Sequence, residues 1–166
     1  DNNAGDKEHP SRTLSSINRL EFRAGDSVLL EGGETFSGPL IINKYASPLA
    51  GKPVLICSTG NEKAVIDGGA KNGIDIRESN SVKICNLRIK GAGRKKGNTG
   101  NGVVVDKCAD ISIDSVSATG FQKAGILVYA SSHIAITHSR VYENGFAGIS
   151  IDGEYGERNS SQILIS

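Results

Sequence analysis

Methionine and tryptophan are absent from the 166 residues, and aromatic side chains make up only 5%. The core must therefore be aliphatic, and the chain holds 18 Ile, 10 Val and 10 Leu to build it. No apolar run approaches the roughly 18 residues that a helix needs to cross a bilayer, so no membrane span is expected. A bulk charge of either sign is missing too. With 19 basic and 18 acidic residues the net charge is +1, which argues against a general nucleic-acid binder. Cysteine is scarce: Cys57, Cys85 and Cys108 match no metal-ligand spacing and make no even disulfide set, so they leave the compartment open. The chain opens at Asp1 without Met or an apolar leader and reads as processed or trimmed. Its length suits one domain.

What is abundant is glycine, 21 residues, beside the β-branched aliphatics. That pairing favours strands and tight turns over packed helices. Charge, balanced overall, is uneven along the chain. Residues 71–107 carry nine basic and three acidic side chains, a local +6, while the flanking stretches sum to −2 and −3.

An internal repeat organises the sequence. Gly102-Val103-Val104-Val105, Gly125-Ile126-Leu127-Val128 and Gly148-Ile149-Ser150-Ile151 recur every 23 residues, and Gly73-Ile74-Asp75-Ile76 lies 29 upstream of Gly102. The six extra residues fall in the polar, Gly-rich stretch from Gly91 to Asn101. After each such first strand comes a second alternating pair: Val82/Ile84, Ile111/Ile113, Ile134/Ile136 and Ile163/Ile165. A third follows at Leu87/Ile89, Val116/Ala118 and Ser139/Val141. Three short strands per repeat with period-2 alternation and no 3.6-residue period predict a parallel β-solenoid. A leucine-rich repeat of this length would need Leu at fixed sites, an Asn ladder and often a helix; Ile dominates instead. Residues 43–53, with Pro48, Gly51 and Pro53, read as a loop between coils. Near the N-terminus, Leu14, Ile17 and Leu20 sit three apart behind Ser11 and Thr13, which predicts a short N-capped amphipathic helix covering the first coil.

The run Phe22-Arg23-Ala24-Gly25-Asp26-Ser27-Val28-Leu29-Leu30, then Gly32-Gly33-Glu34-Thr35-Phe36 and Ala64-Val65-Ile66-Asp67-Gly68-Gly69, resembles secreted right-handed parallel β-helix proteins of the pectate-lyase-like superfamily. The resemblance spans about residues 10–166 and implies an all-β right-handed parallel β-helix with a capping helix. Residues 1–26 would form the leader and cap, and 27–166 the coils. The strand Gln162–Ser166 matches the second strand of a coil, so further coils are expected beyond it. An uncapped last coil would otherwise be a site of self-association. The superfamily spans lyases, hydrolases, epimerases, adhesins and tailspikes, so the resemblance is specific for fold and weak for chemistry.

In such folds the sugar lies along the first-strand face, and the resemblance implies an extracellular or periplasmic protein with a polysaccharide as its partner. The residues just after the first strands form the column Arg77, Asp106, Tyr129 and Asp152, whose charges and aromatic ring at about 4.8 Å steps could track a polysaccharide. The insertion brings Lys90, Arg94, Lys95 and Lys96, expected to rim the same face and suited to an anionic uronic-acid polymer. Asp75, Asp106 and Asp152 are hard oxygen ligands that could gather around Ca²⁺, which would neutralise a uronate carboxylate while a Lys or Arg took the proton alpha to it. No base is identifiable. Arg88-Ile89-Lys90 matches one phrase of the superfamily's glycoside hydrolases, whose other motifs are missing, and reads better as strand periodicity. His133 and His138 flank one strand, and His138 aligns with Asn86 and Ser115 in a polar turn ladder rather than a metal site. Cys57 and Cys85 fall on adjacent coils, where a disulfide and a pair of stacked free thiols are both open. Asn159-Ser160-Ser161 matches a glycosylation acceptor. The functional expectation is a polysaccharide lyase-like enzyme acting by β-elimination on an acidic polysaccharide; the alternative is a non-catalytic carbohydrate-binding or adhesin-type module.

Overall fold

In a computed structural model the chain winds into coils of three short strands. Residues 8–43, 51–154, 156 and 159–166 are described here; most of the expected loop at 43–53 lies outside them. One sheet stacks β1 (Ser27–Glu31), β4 (Val54–Thr59), β7 (Asn80–Cys85), β10 (Ala109–Asp114), β13 (Ser132–Thr137) and β16 (Ser161–Ile165). A second stacks β2 (Thr35–Ser37), β5 (Ala64–Gly69), β8 (Leu87–Gly91), β11 (Ser117–Thr119) and β14 (Arg140–Tyr142). The third, which carries the first strand of each repeat, stacks β3 (Leu40–Asn43), β6 (Ile74–Arg77), β9 (Val103–Asp106), β12 (Ala124–Tyr129) and β15 (Ala147–Asp152). We call them the A, B and C sheets. Every pairing is parallel.

The core is a set of vertical columns. Ile74, Val103, Ile126 and Ile149 stand in register on the C sheet, and Val82, Ile111, Ile134 and Ile163 on the A sheet. Phe36, Ile66, Ile89, Ala118 and Val141 do the same on the B sheet. Strand β8 alternates buried and exposed residues throughout, as period 2 requires. Each fully buried Ile contributes roughly 1.5–3 kcal/mol of burial, and the columns sum many such terms.

The recurring Gly that opens each first strand has a packing cause at three of its four positions, Gly148 on the last such strand having room for a Cβ. A Cβ on Gly73 would strike the Ile89 side chain and the Gly102 carbonyl; on Gly102 it would strike the Gly125 carbonyl; on Gly125, the Val141 side chain. The B-to-C corner is too tight there for any side chain.

Between sheets the chain turns through stacked left-handed residues: Glu78, Lys107 and Ala130 at the C-to-A corner, and Asn86, Ser115 and His138 at the A-to-B corner. Side chains close the corners. Ser79 and Ser131 Oγ each donate to a carbonyl two residues back, at 2.7 Å, and Cys108 Sγ donates likewise to Asp106 O at 3.2 Å. The Cys108 N–H in turn donates to Ser131 Oγ on the next coil. Cys108 is thus a serine substitute in a ladder. At the B-to-C corner Asn72 Oδ1 accepts from the Asn101 N–H, and Asn101 Oδ1 from the Ala124 N–H. A short asparagine ladder is therefore present, one of the features a leucine-rich repeat would need; the continuous parallel sheets and the Ile-rich columns separate this fold from that one.

The capping helix is shorter than expected. Helix α1 covers Leu14–Ile17, with Leu14 fully buried, Ile17 half-buried and Leu20 left 57% exposed. Thr13 occupies the N-cap position, yet its hydroxyl pairs with Ser15 Oγ rather than with a backbone N–H. Asn18 does more to cover the first coil. Its amide donates to Pro39 O and accepts from the Ile41 N–H, satisfying the open edge of β3.

Asn101 is 7% exposed and is the acceptor for a buried N–H. Asn101→Ala would orphan that donor, and a loss of about 1–3 kcal/mol in chemical denaturation is expected.

Candidate functional site

Register puts the end residues of the first strands in one line: Asn43 opposite Arg77, Arg77 opposite Asp106, Asp106 opposite Tyr129 and Tyr129 opposite Asp152. Asn43 extends the expected column by one coil. Beside it the outward residues Asp75, Val104, Leu127 and Ser150 form a second line, and Val104 is only 2% exposed.

Arg77 organises the line. Its Nε lies 2.7 Å from Asp75 Oδ1, and its Nη1 donates to Asp106 on the next coil. Asp75 Oδ1 is buried, and its contact with Nε is an ion pair with no directed hydrogen bond; the directed one runs from Nη2 to Oδ2 at 3.4 Å. Asn72 also donates to Asp75 Oδ2 at 3.0 Å. Burial opposes the Arg77 charge, but Asp75 and then Asp106 outweigh it and raise the guanidinium above its ordinary value. Farther along, Asp152 accepts from Ser150 Oγ at 2.8 Å.

These contacts correct the calcium expectation. Among the described residues no three His, Cys, Asp or Glu side chains gather closely enough to hold a metal ion. Arg77 already pairs with both Asp75 and Asp106, and Asp152 lies two coils from Asp106, about 10 Å away at the usual strand spacing. The donor set does not fit a calcium ion.

The basic residues lie elsewhere. Lys90 is an outward residue of the B sheet, paired with Asp67 and Thr119. The insertion is pinned to the B-to-C corner, where Asn98 Nδ2 donates to the Gly69 and Lys71 carbonyls and Thr99 Oγ1 donates to Ala70 O. It thus borders the start of the C strands, whereas the Arg77 column marks their end. Lys95 and Lys96 are exposed, and Arg94 Nη1 reaches Asn144 O at 3.4 Å. Arg88 and Arg140, which sequence reasoning passed over, join Lys90 on the B face. Both pair with Ser117. The signal was present in the alternation of β8, where Arg88 was read as periodicity alone.

The remaining polar groups are structural. His138 Nδ1 lies 2.8 Å from Asp114 Oδ1, which also accepts from Thr137 Oγ1 at 2.6 Å. Hydrogen bonds from Thr137, then His138 and Ser115, hold the Asp114 carboxyl down at about 2. Cys57 and Cys85 face each other in register as free thiols. Burial, then the neighbouring Cys57, pushes the Cys85 thiol up to about 12.

A family profile described as "Right handed beta helix region" matches residues 25–165. The chain belongs to the right-handed β-helix family. Among solved structures, this β-helix is similar to alginate lyase from Paenibacillus sp. str. FPU-7, with TM-score 0.71 and 21% identity over 94% of this chain and 57% of that one. It is also similar to native GH136 lacto-N-biosidase from Eubacterium ramulus, with TM-score 0.74 and 17% identity over 99% of this chain and 38% of that one. No curated protein matches the sequence. The chain thus spans between about two fifths and three fifths of these solved relatives, and at such identities the likeness is one of fold.

Two outcomes follow. Asp114 sits below its ordinary value when folded, so its contribution is full above about pH 4 and lost as pH falls through about 2. Acid unfolding of Asp114→Asn should accordingly show a shallower fall across that window than the parent. Arg77→Gln should cost about 1 kcal/mol at low salt, since two carboxylates lose their counter-charge, and less at high salt, where exposed charges are screened. Denaturation at the two ionic strengths checks this.

Proposed function

We propose that this chain is the β-helix of a secreted, carbohydrate-active protein whose partner is an acidic polysaccharide, and that its reaction is β-elimination. The observation that carries the reading is the basic stretch: Arg88, Lys90, Lys95 and Lys96 are exposed and form no ion pair among the described residues. Exposed cations left without acidic partners suit a repeating polyanion. The fold likeness to an alginate lyase supports the same substrate class.

In the elimination a base removes the proton alpha to the uronate carboxylate. The electrons form a carbon–carbon double bond, and the glycosidic oxygen leaves and is protonated. Cations beside the carboxylate would stabilise the charge that develops there. The C-sheet column Arg77, Asp106, Tyr129 and Asp152 supplies hydrogen-bonding groups and one aromatic ring along the coil axis for the sugar.

A second reading, a non-catalytic carbohydrate-binding module, is favoured by one feature. Asp75, Arg77 and Asp106 are engaged with one another. Incubation with alginate, pectate and glycosaminoglycans separates the readings. The elimination reading expects an unsaturated uronide absorbing in the ultraviolet. Retained glycan without that product would leave the binding module, and no interaction with any acidic glycan would overturn both.

A further inference from the structure

The C-sheet column and the line beside it hold three carboxylates, Asp75, Asp106 and Asp152, to one cation, Arg77, so contacts to a sugar there are hydrogen bonds rather than charge pairs. The B sheet has the opposite balance. On its outer face, β8 presents Arg88 and Lys90, β14 presents Arg140 and Tyr142, and β11 between them presents only Ser117 and Thr119. All four outer side chains are exposed, with Tyr142 at 49%. Arg88, Lys90 and Arg140 form no ion pair among the described residues. The one acidic residue in the adjoining β5 column, Asp67, turns its Oδ1 to the Gly69 N–H.

Small side chains between two rows of long ones make a trough. Its walls stand two strand spacings apart, about 10 Å, with β11 as the floor. At the far end of β11, Arg94 passes over the corner of that coil to reach the Asn144 carbonyl, adding a fourth cation where the trough meets the insertion. Guanidinium groups pair with carboxylates bidentately, and an exposed tyrosine ring offers a flat apolar face to a pyranose.

We infer that the outer face of the B sheet is a polyuronate-binding trough, running along β11 between Arg88/Lys90 and Arg140/Tyr142 and separate from the C-sheet column. This rests on the reading of the partner as an acidic polysaccharide but not on the elimination chemistry. The trough would hold a stretch of the polymer away from the C face, so that one chain could engage two faces of the same coils.

Calorimetric titration with oligogalacturonate and oligoalginate, and with neutral dextran as comparison, tests it. The double variant Arg88→Ala/Arg140→Ala should bind the acidic oligosaccharides on the order of tenfold more weakly at low salt, with a flatter salt dependence. Thr119→Glu, which places a carboxylate on the trough floor, should weaken binding as well. Lys83→Ala, an exposed cation lost from the A sheet, should leave it unchanged. Melting curves like the parent's show that the variants are folded. Parent-like affinity in the double variant and in Thr119→Glu would overturn the trough and leave the functional reading intact. Failure of the parent to bind either acidic oligosaccharide or a glycosaminoglycan fragment would overturn both.

Discussion

Parallel strand pairing without slip is the constraint on which this structure depends. Each strand contributes one to three inward apolar side chains, too few to bury themselves, so a coil is stable only against its neighbours. A shift of one residue would turn every Ile of a strand outward. The aliphatic columns therefore fix register far more strongly than any polar contact does. Register in turn decides which polar residues meet, across 23 or 29 positions of sequence.

The corners show how the constraint is met at the backbone. Left-handed residues are costly for most side chains, yet here they recur at equivalent places on successive coils, each held by the hydrogen-bonding row beside it. The serine row with its embedded Cys108, the Ser139 hydroxyl at the A-to-B corner and the asparagine ladder perform one task at three corners. They satisfy N–H and carbonyl groups that would otherwise be buried without partners. A chain built this way keeps its sheet faces free of structural duty. That freedom lets the C face carry an ion-paired acidic line while the B face carries unpaired cations.

Much of this was legible in the sequence, because spacing and alternation are what a solenoid writes into its residues. The Gly-Ile-x-Ile interval located the first strands, and the column Arg77, Asp106, Tyr129 and Asp152 followed from counting. Less visible was how neighbours on a column would treat one another. That Arg77 would take both Asp75 and Asp106 depends on side-chain reach, which spacing does not encode, and it removed the calcium site. The insertion was traced to the connection before a first strand, but which end of that strand it borders was not legible, because the anchoring bonds of Asn98 and Thr99 have no sequence period. Arg88 and Arg140 were missed for a related reason: they lie on separate repeats with Ser117 between them, and each alone is an ordinary exposed strand residue. Leu20 was over-read as helical, since a three-residue spacing also fits a turn leaving a one-turn helix.

Nuclear Overhauser contacts between backbone protons of isotopically labelled protein test the register directly. The account predicts cross-strand contacts from Val103–Asp106 to Ile126–Tyr129 and from there to Ile149–Asp152, each 23 residues on, and from Ile74–Arg77 to Val103–Asp106, 29 residues on. Contacts displaced by one or two residues, or running antiparallel, would contradict it and with it the placement of both faces.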